Sequence, residues 1–244
     1  MVLVVVAVGI GGFVGGRMAE RHPSPTDRVP PLPGAVEGGL AVEVIWKVDT
    51  DQQLYALTFD DGPDPQWTPQ LLDVLAAHGA TATFFELGEA AAEHPEVVAR
   101  VVAEGHEVAS HGWDHSRLTT IPANSVEGGL NQAAEILAEL SGQPIVLFRP
   151  TYGRLDQLAL RAAADLDQTV VLWSHVLHGG DAALSDVDRV VNTARPGMII
   201  LSHDGRGSPD QQLVEAVDAL LTRLEAAGFR GVTVSQLMAA GRAD

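Results

Sequence analysis

The sequence contains no cysteine and few basic residues. The absence of cysteine excludes disulfides, thiolate metal ligands and a cysteine nucleophile, so any metal must be held by His, Asp or Glu. Only 15 Lys and Arg accompany 32 Asp and Glu, for a formal net charge of -17. Because such a surface repels phosphate backbones, we expect no binding to nucleic acid. Aromatic residues make up only 5% of the chain, but its 46% hydrophobic content over 244 residues suffices for one sizeable domain.

The amino-terminal residues differ from the rest of the chain. Residues 1–16 carry no charge and are nearly all apolar, but they fall short of the ~20 residues of a spanning helix and lack a basic leader and a cleavage site. We interpret them as a signal-anchor or as part of a signal peptide, with a buried strand or helix of the domain as the alternative. Residues 17–41 include five closely spaced prolines and are typical of a linker. We therefore expect an extracytoplasmic protein, membrane-anchored or secreted, whose domain comprises residues 42–244.

Short β-rich runs alternate with helical patterns from about residue 42 onward. The predicted strands are Tyr55–Phe59, Thr81–Phe85, Glu107–Ala109, Ile145–Phe148, Thr169–Trp173, Met198–Leu201 and Gly231–Val234. The predicted helices are Thr68–His78, Pro95–Glu104, Ser125–Leu140, Asp156–Asp165, Ser185–Thr193 and Pro209–Ala227. This alternation predicts parallel strands joined by right-handed crossovers, either in an open doubly wound sheet or in a (β/α) barrel. In both folds, ligands bind at the carboxyl ends of the strands.

Reactive side chains follow five of these strands at their carboxyl ends. They are Asp60 and Asp61, His111 and His115, Arg149, Ser174 and His175, and His203 and Asp204. Because these strand ends share one rim, we expect the side chains to lie close together. His106 precedes its strand instead, so we expect it on the opposite face in a structural role.

Two carboxylates and two imidazoles in this set are candidates for a metal site. Adjacent residues project in different directions, so one of Asp60 and Asp61 can bind a metal while the other faces the substrate. His111 and His115 have the i,i+4 spacing that brings two imidazoles to one metal on a helical backbone. Each pair alone is more often a turn or incidental. Together, an Asp/His/His set with an open position is typical of catalytic zinc, which activates water and polarises a carbonyl.

Four ordered motifs resemble those of the polysaccharide deacetylases, carbohydrate esterase family 4. They are Leu-Thr-Phe-Asp-Asp-Gly-Pro at 57–63, Gly-His-Glu-Val-Ala-Ser-His-x-x-x-His at 105–115, Phe-Arg-Pro-Thr-Tyr-Gly at 148–153 and Ile-Leu-Ser-His-Asp at 200–204. Thr-Ala-Thr-Phe-Phe at 81–85 matches the second strand of the family. The resemblance spans about residues 42–238 and implies an α/β fold, a distorted (β/α) barrel with about seven parallel strands.

The resemblance also implies the metal ligands and the base. Asp61, His111 and His115 would ligate one divalent metal, usually zinc. Asp60 would be the general base that takes a proton from the attacking water. Arg149 would pair with Asp60, because a guanidinium beside a carboxylate favours its ionised form and fixes its orientation.

Three further roles follow from the resemblance. His203 would be the general acid that protonates the leaving amine. The backbone N–H of Tyr152 would help to stabilise the tetrahedral oxyanion, and Leu201 would line the pocket for the acetyl methyl group. Thr151 stands where the family has proline, which leaves Arg149 and Tyr152 in place.

The motif after the fifth strand departs further from the family pattern. The family has an acidic residue there that tunes the acid and a tryptophan that shapes the groove, and neither is identifiable after Trp173. His175, His178 and Asp181 are the candidates to replace them.

These observations predict a hydrolase acting on carbon–nitrogen bonds other than peptide bonds. The main hypothesis is removal of N-acetyl groups from amino-sugar polymers, with peptidoglycan or chitin-type oligosaccharides as the glycan partner and a membrane tether at the amino terminus. One alternative is an amidohydrolase acting on a small-molecule amide or imide. The other is a non-catalytic, membrane-tethered glycan-binding domain.

Overall fold

A nine-stranded sheet, in which the paired strands are all parallel, forms the centre of the computed structural model. The structure describes residues 42–116, 122–154, 157–207 and 209–242. The predicted signal segment 1–16, the linker 17–41 and the first residue of the helix predicted from 156 lie outside this part. The strands are β1 (Val44–Ile45), β2 (Leu54–Asp60), β3 (Thr83–Glu86), β4 (Glu107–Ser110), β5 (Leu147–Phe148), β6 (Thr169–Val171), β7 (His175–Val176), β8 (Met198–His203) and β9 (Arg230–Gly231).

Eight α-helices of the described residues flank the sheet. They are α1 (Thr68–Ala77), α2 (Gly88–Glu93), α3 (Pro95–Ala103), α4 (Ala123–Ser141), α5 (Gln157–Asp165), α6 (Ala183–Asn192), α7 (Gln211–Ala226) and α8 (Val234–Arg242). No helix in the described ranges is both long enough and apolar enough to cross a membrane.

The order of the strands shows how the sheet curls. The path runs β1-β6-β5-β4-β3-β2-β8-β7, and β9 pairs with the amino-terminal part of β2. β6 and β7 lie near opposite ends of this path, yet the three residues 172–174 connect them. Within that connection, the Ser174 N–H donates to the Ile199 carbonyl at 2.9 Å. The sheet therefore curves round on itself, and the predicted distorted (β/α) barrel is confirmed.

The alternation of side chains along β2 explains why reactive groups collect inside this curve. Tyr55, Leu57 and Phe59 belong to the core cluster that packs against the outer helices. Leu54 and Ala56 belong to the cluster enclosed by the sheet. Because side chains alternate along a strand, the last residue of β2, the predicted base, lies on the enclosed face.

All seven predicted strands are present, with boundaries shifted by at most three residues. β1 and β7 were not predicted, because a two-residue strand leaves no periodic pattern to detect. Helices α2 and α8 were missed as well. α2 has only six residues, and α8 begins at Val234, the last residue of the strand predicted over 231–234.

Candidate active site

The predicted site residues converge on the carboxyl-terminal rim of the sheet. They are Asp60 as the last residue of β2, Asp61 directly after it, His111 after β4, Arg149 after β5 and His203 as the last residue of β8. Since parallel strands present these ends at one edge, residues distant in sequence become neighbours.

Asp61, His111 and His115 form a cluster whose ligand atoms all lie within 4.8 Å of one another. Asp61 Oδ1 lies 3.2 Å from His115 Nε2 and 3.5 Å from His111 Nε2. Among the described residues this buried oxygen has no hydrogen-bond partner, although such groups are normally satisfied. The three residues therefore fit a divalent cation chemically, with two nitrogen ligands and one oxygen ligand.

The protonation states of the three side chains favour the same conclusion. Burial lowers the pKa of His111, and it lowers the pKa of His115 to about 4, so both imidazoles are neutral near pH 7. Burial, followed by the charge of Asp60, raises the pKa of Asp61 to about 8. The charge of Arg206 offsets this rise only in part, and a cation at this position would stabilise the ionised carboxylate.

The orientation of His111 is fixed by its second ring nitrogen. His111 Nδ1 lies 2.8 Å from the backbone carbonyl of Arg149. Because a carbonyl oxygen only accepts, Nδ1 carries the proton and Nε2 turns its lone pair toward Asp61.

The backbone between the two histidines is not helical. Residues 111–116 form a loop, in which Gly112 has φ 88° and His115 has φ 59°. The prediction that a helical backbone brings the two imidazoles together is therefore wrong. Instead, the left-handed backbone conformation of His115 turns the loop so that both imidazole rings reach Asp61. Asp61 itself has φ 76°. Non-glycine residues held in this region are costly and cluster at functional sites.

Arg149 is fully buried beside Asp60. Its Nη1 donates to Asp60 Oδ1 at 2.6 Å and to Thr58 Oγ1 at 2.9 Å. Its Nε donates to the Val171 carbonyl at 3.0 Å, and the guanidinium carbon lies 4.0 Å from the centre of the Phe85 ring. The guanidinium is thus held from several sides, and it fixes one oxygen of the Asp60 carboxylate.

The remaining predicted site residues lie around this centre. His203 is partly buried and lines a cleft of about 330 Å³. Tyr152 lies in a 3₁₀ turn with φ 60°, and its ring packs edge-on against His115 with 4.6 Å between centroids. Leu201 is buried in the enclosed cluster together with Trp173. The Thr151 hydroxyl donates to the Ser116 carbonyl at 2.8 Å, so it ties this turn to the loop that carries His115.

The three candidates for the altered motif occupy different environments. His178 lines the same cleft as His203. His175 is fully buried in β7, with its Nδ1 2.8 Å from Ser174 Oγ, and it does not line that cleft. Asp181 is exposed and is not among the residues lining the cleft either.

His106 has the structural role that its position predicted. It is buried directly before β4, and its Nδ1 accepts from the backbone N–H of Ala82 at 3.1 Å. Sequence reasoning missed two contributors to the rim. Thr58 could have been identified, because it stands two residues before Asp60 and therefore on the same strand face. Asp186, which contacts His178, lies on a helix in no motif and gave no signal.

The chain is similar to known deacetylases over most of its length. Residues 47–171 match the family described as polysaccharide deacetylase. A peptidoglycan-N-acetylglucosamine deacetylase of Bacillus cereus is 35% identical over 80% of this chain and 92% of its own length. A chitooligosaccharide deacetylase of Rhizobium leguminosarum bv. trifolii is 36% identical over 73% of this chain and 88% of its own.

A solved structure supports the same assignment. It is that of a peptidoglycan N-acetylglucosamine deacetylase, 31% identical, which superposes with a TM-score of 0.75 over 80% of this chain and 92% of its own. The family, the fold and the ordered motifs agree, and the chain belongs to the polysaccharide deacetylase family.

Proposed function

We propose that this chain removes N-acetyl groups from an amino-sugar polymer of the peptidoglycan or chitin type, releasing acetate and a free amine. The proposal includes one divalent metal, zinc, held by Asp61, His111 and His115. The observation that carries it is the buried Asp61 Oδ1, which has no hydrogen-bond partner among the described residues. It lies between two neutral imidazoles, beside the carboxylate of Asp60. The names of the bacterial relatives support the choice of glycan.

Asp60 is the proposed general base. One of its oxygens accepts from Arg149, and the other, Oδ2, lies 3.8 Å from His111 Nε2 and therefore beside the proposed ligand atoms. A divalent metal at this position would polarise the acetamide carbonyl and acidify a water. Asp60 Oδ2 takes the proton of the water that attacks the acetyl carbon. Arg149 orients the carboxylate for this transfer through its hydrogen bond to Oδ1.

His203 is the proposed general acid. It ends β8 directly opposite Asp60 in the strand register, so the two side chains flank the same point on the rim. As the bond between the acetyl carbon and the nitrogen breaks, His203 protonates the leaving amine. The backbone N–H of Tyr152 donates to the developing oxyanion, a contribution typically worth about 3 kcal/mol per donor. Leu201 contacts the acetyl methyl group.

We place the reaction outside the cytoplasm. The apolar residues 1–16 and the proline-rich residues 17–41 suit a domain that is exported and tethered or secreted. A peptidoglycan substrate requires the same location, so the two proposals support each other.

Substitution of Asp60 by Asn tests the assignment. The variant keeps the shape of the side chain but cannot take a proton. We expect it to bind one zinc per chain by metal analysis and to release no acetate from chitotetraose or peptidoglycan. Full activity in Asp60→Asn would contradict the assignment of Asp60 as the general base. Turnover of small amides or imides, but of no glycan, would favour the small-molecule alternative.

A further inference from the structure

Asp186 anchors the side chain of His178. Its carboxylate is almost fully buried on α6. Oδ2 accepts from the His178 backbone N–H at 2.9 Å and lies 2.5 Å from His178 Nδ1, while Oδ1 lies 2.6 Å from Arg189 Nη1. A buried carboxylate with these three partners is a rigid support, because moving any one of them would cost a charge-assisted interaction.

This support determines the tautomer of His178. An ionised carboxylate only accepts hydrogen bonds, so Nδ1 carries the proton and, in the neutral ring, Nε2 is an acceptor. The side chain of His178 is also accessible to solvent, since 38% of it is exposed. The ring therefore combines a fixed orientation with an accessible face.

The accessible face borders the cleft that contains His203. The cleft measures about 330 Å³, a volume typical of ligand sites. Gly179 and Gly180, which follow His178, also line it and place no side chain in the cleft. Asp210 also lines it, but both of its oxygens accept backbone N–H groups, those of Gly180 and Leu213.

We propose that His178 is a substrate-binding residue of this cleft, where it accepts a hydrogen bond from a hydroxyl group of the glycan. This inference rests on the proposed function and deepens it, since it names a contact with the sugar rather than with the acetyl group. Asp186 is then a positioning residue that holds the accepting nitrogen toward the sugar. The pair thus occupies the part of the chain in which the acidic and tryptophan residues of the family are missing.

The test compares a glycan with a small acetyl substrate in the full chain. His178→Ala is expected to raise KM for chitotetraose about fivefold to tenfold, the value of one neutral hydrogen bond, with kcat changed less than threefold. Hydrolysis of 4-nitrophenyl acetate, which carries no sugar, is expected to stay at the wild-type rate. His178→Gln keeps an acceptor near the position of Nε2 and is expected to restore most of the affinity. Asp186→Asn is expected to raise KM in the same direction, since an amide can donate to Nδ1 and reverse the tautomer.

Controls separate binding from folding and from the proposed chemistry. His94→Ala removes a partly exposed histidine that lies between α2 and α3, distant in sequence from His178. This variant is expected to leave KM unchanged. Calorimetric binding of chitotetraose to zinc-loaded Asp60→Asn, with and without His178→Ala, measures the contact without turnover. An unchanged dissociation constant overturns the inference, and so does a loss of ester hydrolysis together with a lower Tm. If the wild-type chain releases no acetate from chitotetraose but His178→Ala still weakens the binding of chitotetraose, only the proposed function is contradicted.

Discussion

Arg149 and Asp60 form a buried ion pair, with Arg149 Nη1 2.6 Å from Asp60 Oδ1. The arginine is fully buried, and it also donates to the side chain of Thr58 and to the backbone carbonyls of Val171, at the end of β6, and Leu172. The pair therefore links three strands and also orients the proposed base. Burying two charges is costly, so removing one of them leaves the other uncompensated.

Substitution of Arg149 by Lys should separate its charge from its geometry. Lysine keeps a positive charge but cannot reproduce the fork of donors. We expect kcat to fall about 10- to 100-fold, as for other groups that orient a catalytic side chain. We expect the free energy of unfolding to fall by about 1 to 3 kcal/mol, because the buried carbonyls of Val171 and Leu172 lose the donors of the guanidinium. Acetate release at saturating substrate and urea unfolding measure the two effects.

The matched control for this variant is Arg161→Lys. Arg161 is exposed, and its 4.0 Å contact with Asp165 is a surface ion pair of a kind that contributes little. Arg161→Lys should change neither kcat nor the free energy of unfolding. If Arg149→Lys stays within twofold of the wild-type kcat, the orienting role of the guanidinium is wrong.

Removal of the metal should abolish activity and reveal the cost of burying Asp61. We expect a chelator to stop acetate release and added zinc to restore it. We expect Asp61→Asn to lose stoichiometric zinc binding and activity. Yet metal-free Asp61→Asn should be more stable than metal-free wild type, because burial removes the solvation of the wild-type carboxyl and its Oδ1 has no hydrogen-bond partner among the described residues.

The pH dependence of this difference has a definite sign. Burial raises the pKa of Asp61 from 3.8 to about 8, so its contribution to stability is complete below about pH 4 and is lost as the pH rises toward 8. The advantage of Asp61→Asn should therefore grow over this range and reach about 2 kcal/mol or more at pH 8. Urea unfolding in the presence of chelator measures it. An advantage that stays constant with pH would show that Asp61 does not titrate in this range.

The sequence predicts the contents of the site better than its local geometry. Asp60, Asp61, Arg149 and His203 were predicted on one rim because each falls at the end of a β-rich run, and parallel strands bring such ends together. The loop from His111 could not be predicted in the same way. Its spacing is typical of a helix, whereas the left-handed residues that turn it depend on contacts with other loops.

Features that depend on tertiary contacts also escaped prediction. The two-residue strand β7 exists because its neighbour β8 supplies the hydrogen bonds, and so short a run has no periodicity of its own. The support of His178 by Asp186 crosses from a loop to a helix eight residues later. Neither residue type nor spacing indicates that contact.

Glu86 should reduce the stability of the fold above mildly acidic pH. It ends β3, is fully buried, and neither of its carboxyl oxygens has a hydrogen-bond partner among the described residues. Burial, followed by the charge of Asp204, raises the pKa of Glu86 well above its ordinary value of 4.5. Stability from this group is therefore complete below about pH 4.5 and is lost as the pH rises. We expect Glu86→Gln to be more stable than wild type by about 2 kcal/mol at pH 8, and by less at pH 5.

Thermal and urea unfolding at the two pH values test the Glu86 prediction. Glu89→Gln is the matched control, because Glu89 stands three residues later on α2 and is exposed. It should change stability by less than about 0.5 kcal/mol at either pH. Equal effects of Glu86→Gln at pH 5 and pH 8 would contradict the assignment of a raised pKa.

Gly205 sets the position of the Asp61 loop by its lack of a side chain. A Cβ atom at this residue would lie 2.1 Å from the Asp61 carbonyl oxygen and 2.9 Å from the Gly62 nitrogen. Both are backbone atoms, so the clash can be relieved only if the loop that carries the metal ligand moves. We expect Gly205→Ala to lower the free energy of unfolding by about 2 kcal/mol, as overpacking does. We also expect it to weaken zinc binding at least about tenfold, because a ligand displaced by a fraction of an ångström no longer meets the geometry of the site.

Gly128→Ala is the control for the substitution itself. Gly128 lies in α4 and has nothing within 4 Å of the added Cβ atom, so alanine should stabilise the helix by about 0.5 to 1 kcal/mol and leave zinc binding unchanged. Zinc titration with a competing chelator and urea unfolding compare the two variants directly. Wild-type zinc affinity in Gly205→Ala would mean that the Asp61 loop tolerates displacement, and the close packing of the two loops would then have no part in forming the metal site.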